Sequence, residues 1–344
     1  MTIDVRAARL EDCEGLAAFR ERMEGGRVLA EMRRPEFYRH KYVEAGLASV
    51  AEDNGRIIGM TAGSPRRVTL FGKTVVAADL GDLFIDPAYR GRGLFRRLHD
   101  ATLSALLQRG VQLVTVQPGP PAVPALRSAF GYLPLFPIAE WMGVVDRRLA
   151  AQSATSLWRR WLLRALPTLR SRPDRTGSQV EIGGAAGLEG PPPNGEPWPQ
   201  ATTIRDAAWL HTRYTSGPTP YEAVVARGDG MAAVVFLVQR PLPATAARGW
   251  LVDGWATGPA AHPLATAAVN RLIAEFRARG VAIAHTWCAH GATRPDPFVR
   301  AVRDARFVRQ PLRKRLFGWA DVRAGIAFPA ASQWMFRMGD TDGI

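Results

Sequence analysis

The sequence has few cysteines and no long apolar run. Only Cys13 and Cys288 occur in 344 residues, and two cysteines so far apart favour a reducing compartment over a disulfide framework. No uninterrupted apolar stretch of about 18 residues occurs, so no transmembrane helix is predicted. The first residues, MTIDVRAARLEDCEGL, carry acids where a secretory signal has its apolar core. Together these absences predict a cytoplasmic location.

Lysine is also scarce, whereas arginine is abundant. Lys41, Lys73 and Lys314 are the three lysines among 45 basic residues, and the net charge is +14. Residues 1–146 carry a net charge of +2 and residues 147–175 carry +7. The basic residues follow no recognisable nucleic-acid-binding motif. We therefore expect no nucleic-acid partner, although the total charge alone would suggest one.

The ordinary balance of 47% hydrophobic and 22% charged residues is that of a globular protein, and its length suggests two domains. We place the first domain at residues 1–146 and the second at 200–344. Between them, 147–199 reads as a basic helix over 155–170 followed by a stretch rich in proline and glycine over 173–199, which is either a flexible linker or an excursion of the chain. The helix has Trp158 and Trp161 on one face, which either packs between the domains or lies on an anionic membrane surface.

The second domain repeats the first in outline. A hairpin around Asp229 corresponds to the one around Asn54, with an offset of 175 residues. The later helix-Arg-Gly-strand pattern repeats with an offset of 170, which puts Arg279-Gly280-Val281 on Arg109-Gly110-Val111. Such similarity suggests an internal duplication.

The chemistry-bearing motif is Arg90-Gly91-Arg92-Gly93-Leu94-Phe95, which follows a predicted strand and opens a predicted helix. Glycines let a phosphate approach the backbone, and the N-terminus of a helix favours an anion. The motif lacks the third glycine of a dinucleotide-binding fingerprint and the Lys-Ser/Thr of a P-loop. The sequence therefore predicts a phosphate-binding loop of another kind.

The order of elements, with FIDPAYRGRG before an amphipathic helix and AFGY after the next strand, resembles the GNAT superfamily of acetyl-CoA-dependent N-acyltransferases over about residues 3–140. The resemblance implies an α/β (α+β) GNAT fold, in which helices flank a mixed, mostly antiparallel central sheet. We expect this fold to be duplicated, with a degenerate second copy. Under the offset of 170, Pro263 replaces Gly93 and removes a phosphate-binding N–H.

The resemblance also implies a set of cofactor-binding residues. The loop would hold the pyrophosphate of acetyl-CoA, or of another acyl-CoA, and the preceding strand would pair with the pantetheine. These residues are Leu83, Phe84, Ile85, Arg90, Gly91, Arg92, Gly93, Leu94, Phe95 and Arg96.

Three positions depart from the family pattern. Phe95 stands where the motif has a small residue, and Arg127 stands where members often have a tyrosine acid. Gly81 occupies a position that is often a glutamate base. The adjacent Asp82 is our candidate catalytic residue, either as a base that takes the amine proton, directly or through water, or as a partner in a structural hydrogen bond.

Other candidates are weaker. His285, Cys288 and His290 are close in sequence, but strand alternation puts His285 opposite the other two, so no metal site is predicted. Trp209, Arg213 and Tyr221 either line an acceptor pocket or pack at the start of the repeat. Asp340 and Asp342 either bind an amine or belong to a solvated terminus.

The sequence as a whole predicts an enzyme of the N-acetyltransferase type. It would transfer an acetyl group from coenzyme A to a primary amine of a small molecule, such as an amino sugar, by direct attack. The alternative is a non-catalytic acyl-CoA-binding or assembly protein at a membrane surface.

Overall fold

The computed structural model describes most of the chain. The described residues are 3–25, 31–152, 156, 161, 163–171, 177–190, 201–240, 246–289, 296–311, 314–321, 324–330 and 334–337.

In the ranges that the structure describes, the first half has six strands and five α-helices. The strands are β1 (Asp4–Ala7), β2 (Leu47–Asp53), β3 (Arg56–Leu70), β4 (Lys73–Ile85), β5 (Leu113–Val116) and β6 (Leu133–Val144). The helices are α1 (Cys13–Glu24), α2 (Pro35–Tyr38), α3 (Leu94–Gln108), α4 (Val123–Phe130) and α5 (Arg147–Gln152), and a π-helical turn, Arg39–Glu44, continues α2.

The second half has nine strands and three helices in the described ranges. The strands are β7 (Gln179–Gly184), β8 (Ala201–Thr203), β9 (Glu222–Gly228), β10 (Gly230–Gln239), β11 (Ala247–Thr257), β12 (Val281–Ala289), β13 (Val308–Arg309), β14 (Lys314–Ala320) and β15 (Trp334–Met335). The helices are α6 (Ala207–Tyr214), α7 (Ala261–Ala278) and α8 (Pro297–Asp304).

All of these strands join one continuous sheet. Its main order is β1-β2-β3-β4-β5-β14-β6-β12-β11-β10-β9-β7, while β13 pairs with β6, β8 with β3, and β15 with β8. Neighbours are mostly antiparallel, but β4–β5, β11–β12 and β8–β15 are parallel. Strand β14 of the second half is inserted between β5 and β6 of the first. The two halves therefore share backbone hydrogen bonds.

The two faces of the sheet are covered by different parts of the chain. Helix α3 packs on the first half through Leu98 and Leu106, which contact Gly59 and Gly63 of β3. Helix α7 covers the second half on the same face, with buried residues such as Leu272 and Phe276. The opposite face carries α1 and α2 at one end. In the middle it carries the segment that includes Trp334 and Phe336.

The stretch expected to be a flexible linker or an excursion of the chain contains a strand. Residues 179–184 form β7, which pairs antiparallel with β9. The flexible-linker alternative is therefore wrong for these residues, because alternating side chains such as Val180 and Ile182 pack against the core of the second half despite the surrounding prolines and glycines. Residues 172–176 and 191–200 of this stretch are outside the described residues. The domain boundaries themselves stay a prediction.

The basic segment before it is described only in part. Trp158 is outside the described residues, whereas Trp161 has 72% of its surface exposed. Leu169 is buried and donates its backbone N–H to the Val144 carbonyl. Leu169 therefore packs between the two halves, whereas Trp161 does not. Contact with a membrane surface stays a prediction. No described helix is both long and apolar enough to cross a membrane.

Candidate active site

Strands β4 and β5 form a cleft because their pairing ends early. Parallel pairing runs from Ala77–Leu113 to Leu80–Val116 and stops there, although β4 continues to Ile85. On its other edge β4 stays paired with β3 up to Ile85, with an irregular register between Met60 and Ala62. The β5-side edge of residues 81–85 therefore faces the gap between the diverging strands.

The glycine loop lies between this strand and α3. Gly91 and Gly93 have φ values of 76° and 72°, a left-handed conformation that favours glycine. A Cβ at either position would meet nothing within 4 Å, so the space beside the loop is open. The first backbone bond of α3 from an N–H to the carbonyl four residues earlier joins Arg97 to Gly93. The N–H groups of Leu94, Phe95 and Arg96 consequently lack such a partner within the helix.

Neighbouring groups fix the loop in place. The hydroxyl of Tyr89 donates to Asp53 at 2.7 Å, and Asp53 sits in the β2–β3 hairpin that the sequence predicts. Arg90 donates its Nε to the Ile85 carbonyl at 3.3 Å, so it braces the loop against β4. Arg92 lies 5.1 Å from the centroid of the Tyr89 ring. Arg96, whose side chain is 73% exposed, is 3.6 Å from Asp100.

Asp82 lies at the irregular point of β4 and has a φ of 51°, which is uncommon for a residue other than glycine. Its carboxylate contacts three side chains from the α1–α2 region. Arg20 of α1 is at 2.6 Å and Lys41 is at 2.9 Å. The hydroxyl of Tyr42 donates to the same oxygen as Lys41. This cluster ties the helices above the sheet to the bulged strand.

The electrostatics of this cluster keep Asp82 ionised. Burial acts to raise the pKa of Asp82, but the charges of Lys41 and Arg20 outweigh it and hold that pKa well below the usual range. A carboxylate with such a low pKa is a weak proton acceptor. Its expected role as a base therefore stays a prediction, and the contacts fit the hydrogen-bonded alternative better.

The second half contains a matching carboxylate, which the sequence reasoning missed. The offset of 170 residues puts Ile283 on Leu113, and their strand partners are Arg248 and Ala77, respectively. Asp253 and Asp82 each lie five residues after these partners, so the two carboxylates occupy equivalent positions. Arg205 binds Asp253 through two nitrogens at 2.8 and 3.0 Å, and both side chains are 0% exposed. The hydroxyl of Tyr214 donates to Asp253 at 3.0 Å. An arginine and a tyrosine thus bind the carboxylate in both halves.

The second cleft is filled by the chain itself. Pairing of β11 with β12 ends at Leu251–Thr286. Beyond that point Arg337 forms a backbone bridge with Cys288 of β12 and donates its Nε to the Gly254 carbonyl of β11 at 3.2 Å. Its guanidinium is buried and paired with Asp296. These contacts occupy the position that corresponds to the open gap beside β4.

The other candidates are distributed as follows. Trp209 and Tyr221 pack edge-on against Tyr214, with ring centroids 5.5 and 5.2 Å away, and Arg213 lies 6.0 Å from the same ring, which favours packing over a pocket. His285 and Cys288 have their side chains on opposite faces of β12. His290, Asp340 and Asp342 are outside the described residues. Among the residues that the structure describes, no group of three His, Cys, Asp or Glu could hold a metal.

Sequence reasoning also missed the partners of Asp82. Arg20 is a charged residue on the apolar face of α1, beside Leu16 and Phe19, and only 7% of its surface is exposed. A charged residue on a buried helix face is a usable signal, because it needs a partner of opposite charge. Lys41 and Tyr42 give no such signal, since their π-helical turn follows from no simple periodicity.

Comparison with known families agrees with this geometry. Residues 4–134 match the model of the acetyltransferase (GNAT) domain. The first half of the chain is thus similar to a GNAT acetyltransferase domain. The loop and the cleft described above lie within the matched residues.

Solved structures show that the GNAT fold extends over nearly the whole chain. A GCN5-related N-acetyltransferase from Anabaena variabilis is 13% identical, with a TM-score of 0.58 over 93% of this chain and 74% of that one. One from Kribbella flavida is 16% identical, with a TM-score of 0.56 over 95% and 74%. A probable N-acyltransferase from Enterococcus faecalis is 15% identical, with a TM-score of 0.55 over 93% and 73%. No curated protein matches the sequence significantly.

Proposed function

We propose that this protein transfers an acetyl group from acetyl-CoA to the primary amine of a small molecule, and that the first half performs the reaction. The observation that carries the proposal is the pairing of an open strand cleft with a glycine loop at the start of α3. Both elements lie in one half, and the corresponding features are closed or replaced in the other.

The residues present fit acetyl-CoA. The loop offers open space beside Gly91 and Gly93 and free N–H groups in the first turn of α3, which suit a pyrophosphate. Exposed Arg92 and Arg96 add positive charge. The cleft-side edge of Leu83–Ile85 offers backbone groups to the amides of a pantetheine, and its N–H groups can polarise a carbonyl. When bound, acetyl-CoA supplies an acyl group activated as a thioester.

The chain's own residues would bind and orient the amine. Holding it in its neutral form beside β4 makes the attack effectively unimolecular. No acylated cysteine is needed, and neither thiol suits that role: Cys13 and Cys288 are both buried. Burial raises the pKa of Cys288 to about 12 and also raises that of Cys13, so both stay protonated near neutral pH.

Asp82 would serve mainly by position in this proposal. Its ion pairs with Arg20 and Lys41 hold α1 and the π-helical turn over the bulge of β4. That arrangement shapes the wall of the cleft where the amine would lie. The proton released by the amine would leave through water rather than to a carboxylate held in its ionised form.

The test is acetyl-CoA binding by calorimetry, together with thiol release in the presence of a panel of amines. Gly93→Ala should weaken acetyl-CoA binding at least about tenfold, because alanine disfavours the left-handed φ of the loop. The matched control is Gly72→Ala at the β3–β4 turn, where φ is 77° and a Cβ also meets nothing. Equal affinity in the wild type and both variants, or thiol release that no amine stimulates, would contradict the proposal.

A further inference from the structure

A group of polar and aromatic side chains lies across the cleft from Asp82. Glu140 of β6 and Trp287 of β12 are paired residues on one face of the sheet, and Lys314 of β14 lies beside them with its Nζ 3.6 Å from the centroid of the Trp287 ring. His285 is two residues from Trp287 and is stacked on Trp250 at 4.8 Å. This set is called the cross-cleft cluster below.

The sheet register puts this cluster level with the catalytic strand. Leu80, Val116 and Phe317 are aligned across β4, β5 and β14, and Lys314 is three residues beyond Phe317 in the direction in which β4 runs on to Leu83. Lys314 is therefore two strands from β4, with the end of β5 between them, and the divergence of β4 from β5 makes this spacing at least about 10 Å. Glu140 and Trp287 lie one and two strands further away. The cluster also shares the face of the sheet on which Trp334 and Phe336 lie.

The cluster holds buried donors without acceptors. The indole Nε1 atoms of Trp250 and Trp287 are shielded from solvent and have no hydrogen-bond partner among the described residues, and Trp287 is only 3% exposed. Buried polar groups are nearly always hydrogen-bonded. Two indole N–H groups at one place therefore point to a ligand or water that supplies oxygen atoms.

The charges of the cluster are loosely paired and cancel. Glu140 is 3.7 Å from both His285 and Lys314, which is too long for a hydrogen bond, and its side chain is 29% exposed. His285 and then Lys314 lower the pKa of Glu140 against the effect of burial, so it is a carboxylate that can accept further hydrogen bonds. Carboxylate and ammonium together leave no net charge to attract a polycation or a dianion.

Sugar hydroxyls match this combination because each can accept from an indole N–H and donate to a carboxylate. We infer that Glu140, Lys314 and Trp287 form the subsite that holds the sugar ring of an amino-sugar acceptor, an inference that rests on the proposed function. The second half would then act in the reaction by binding the acceptor, through strands that lie next to the catalytic half.

The experiment compares two amines of similar ring size, glucosamine and cyclohexylmethylamine, with acetyl-CoA saturating. Trp287→Phe and Glu140→Gln should each raise the KM for glucosamine about tenfold, with kcat within about twofold and no change for cyclohexylmethylamine. The matched control is Trp141→Phe. It removes another indole N–H that has no hydrogen-bond partner in the described part of the chain, from the residue next to Glu140 on the opposite face of β6. It should leave both KM values unchanged.

Several outcomes would overturn the inference. Cyclohexylmethylamine could be as good a substrate as glucosamine, spermidine or glucosamine 6-phosphate could be preferred over both, or Trp141→Phe could act like Trp287→Phe. Glucosamine could also fail to bind in saturation-transfer NMR while acetyl-CoA still binds. Loss of acetyl-CoA binding in the wild type would instead contradict the proposed function itself. Glu140→Gln keeps the test valid if Trp287→Phe does not fold.

Discussion

The parallel strand pairs β4–β5 and β11–β12 diverge after similar lengths of pairing, yet one cleft is open and the other is filled. In the first, pairing ends at Leu80 and glycines line the entrance of α3. In the second, Arg337 lies between the strands, and Pro263 follows the start of α7. In the described residues, the same strand pairing is therefore bridged by Arg337 in the second half, whereas in the first half it ends beside the glycine loop.

The carboxylates beside the two clefts also differ in their exposure to solvent. Asp253 and Arg205 are 0% exposed, whereas the side chain of Asp82 is 13% exposed and its partner Lys41 is 10% exposed. The equivalent positions therefore hold a fully buried ion pair in the second half and a partly solvent-accessible one in the first. A buried pair is costly to break on one side only, because the remaining charge stays buried.

The largest expected effect follows from this difference. Asp253→Asn should lower the free energy of unfolding by about 3–5 kcal/mol, because it removes the carboxylate that binds two nitrogens of the buried Arg205 guanidinium. Asp82→Asn should lower the free energy of unfolding by only about 1–3 kcal/mol, because Arg20 retains its ion pair with Glu24 at 2.9 Å. In the protein that remains folded, however, Asp82→Asn should reduce acetyl transfer more than Asp253→Asn does. Urea denaturation and a transfer assay measure the two effects.

An exposed carboxylate provides the control for this comparison. Asp304→Asn removes the partner of His262, where the side chains are 50% and 28% exposed, and should change stability by less than about 1 kcal/mol. Equal losses of unfolding free energy in Asp82→Asn and Asp253→Asn would show that the two carboxylates stabilise the fold to the same extent. The difference in their exposure would then have no effect on stability.

The parts of the site that could be predicted from sequence are the local ones. The spacing of Gly91 and Gly93 between an apolar strand and an amphipathic helix is contained in one short segment, and so is the Asn54-Gly55 hairpin. These features depend on backbone conformation and periodicity, which neighbouring residues determine.

The remaining parts depend on contacts between distant residues. Arg20 and Lys41 reach Asp82 from 62 and 41 positions away, and β14 enters the sheet beside β5, about two hundred positions earlier. The filling of the second cleft depends on Arg337, whose neighbour Gly254 is 83 positions away. No local pattern marks such a partner, because any strand with a matching apolar face could take the same place.

The helices behind the two clefts differ at one buried position. His99 of α3 is 1% exposed and its Nε2 is 3.2 Å from the hydroxyl of Tyr132, whereas the offset of 170 residues puts Val269 at the matching position of α7. Burial lowers the pKa of His99. The unfolded chain therefore takes up a proton at a higher pH than the folded one, and stability is lost as the pH falls below about 6.5.

This loss can be at most about 1.4 kcal/mol per pH unit for one proton, and His99→Gln should reduce it. The measurement is urea denaturation of both proteins at pH 7.5 and at intervals down to pH 5. An unchanged slope in His99→Gln would show that other groups cause the acid sensitivity.

The smallest expected effect concerns the loop and the filled cleft of the second half, which we expect not to bind acetyl-CoA. The double variant His262→Arg/Pro263→Gly restores the Arg-Gly of the first loop, and the arginine places a cation near Asp304. Calorimetry should still find one acetyl-CoA per chain, because Arg337 and its bonds to Gly254 and Asp296 occupy the cleft. A stoichiometry of two would mean that the loop alone separates the two halves, and the occupied cleft would then have no part in the difference.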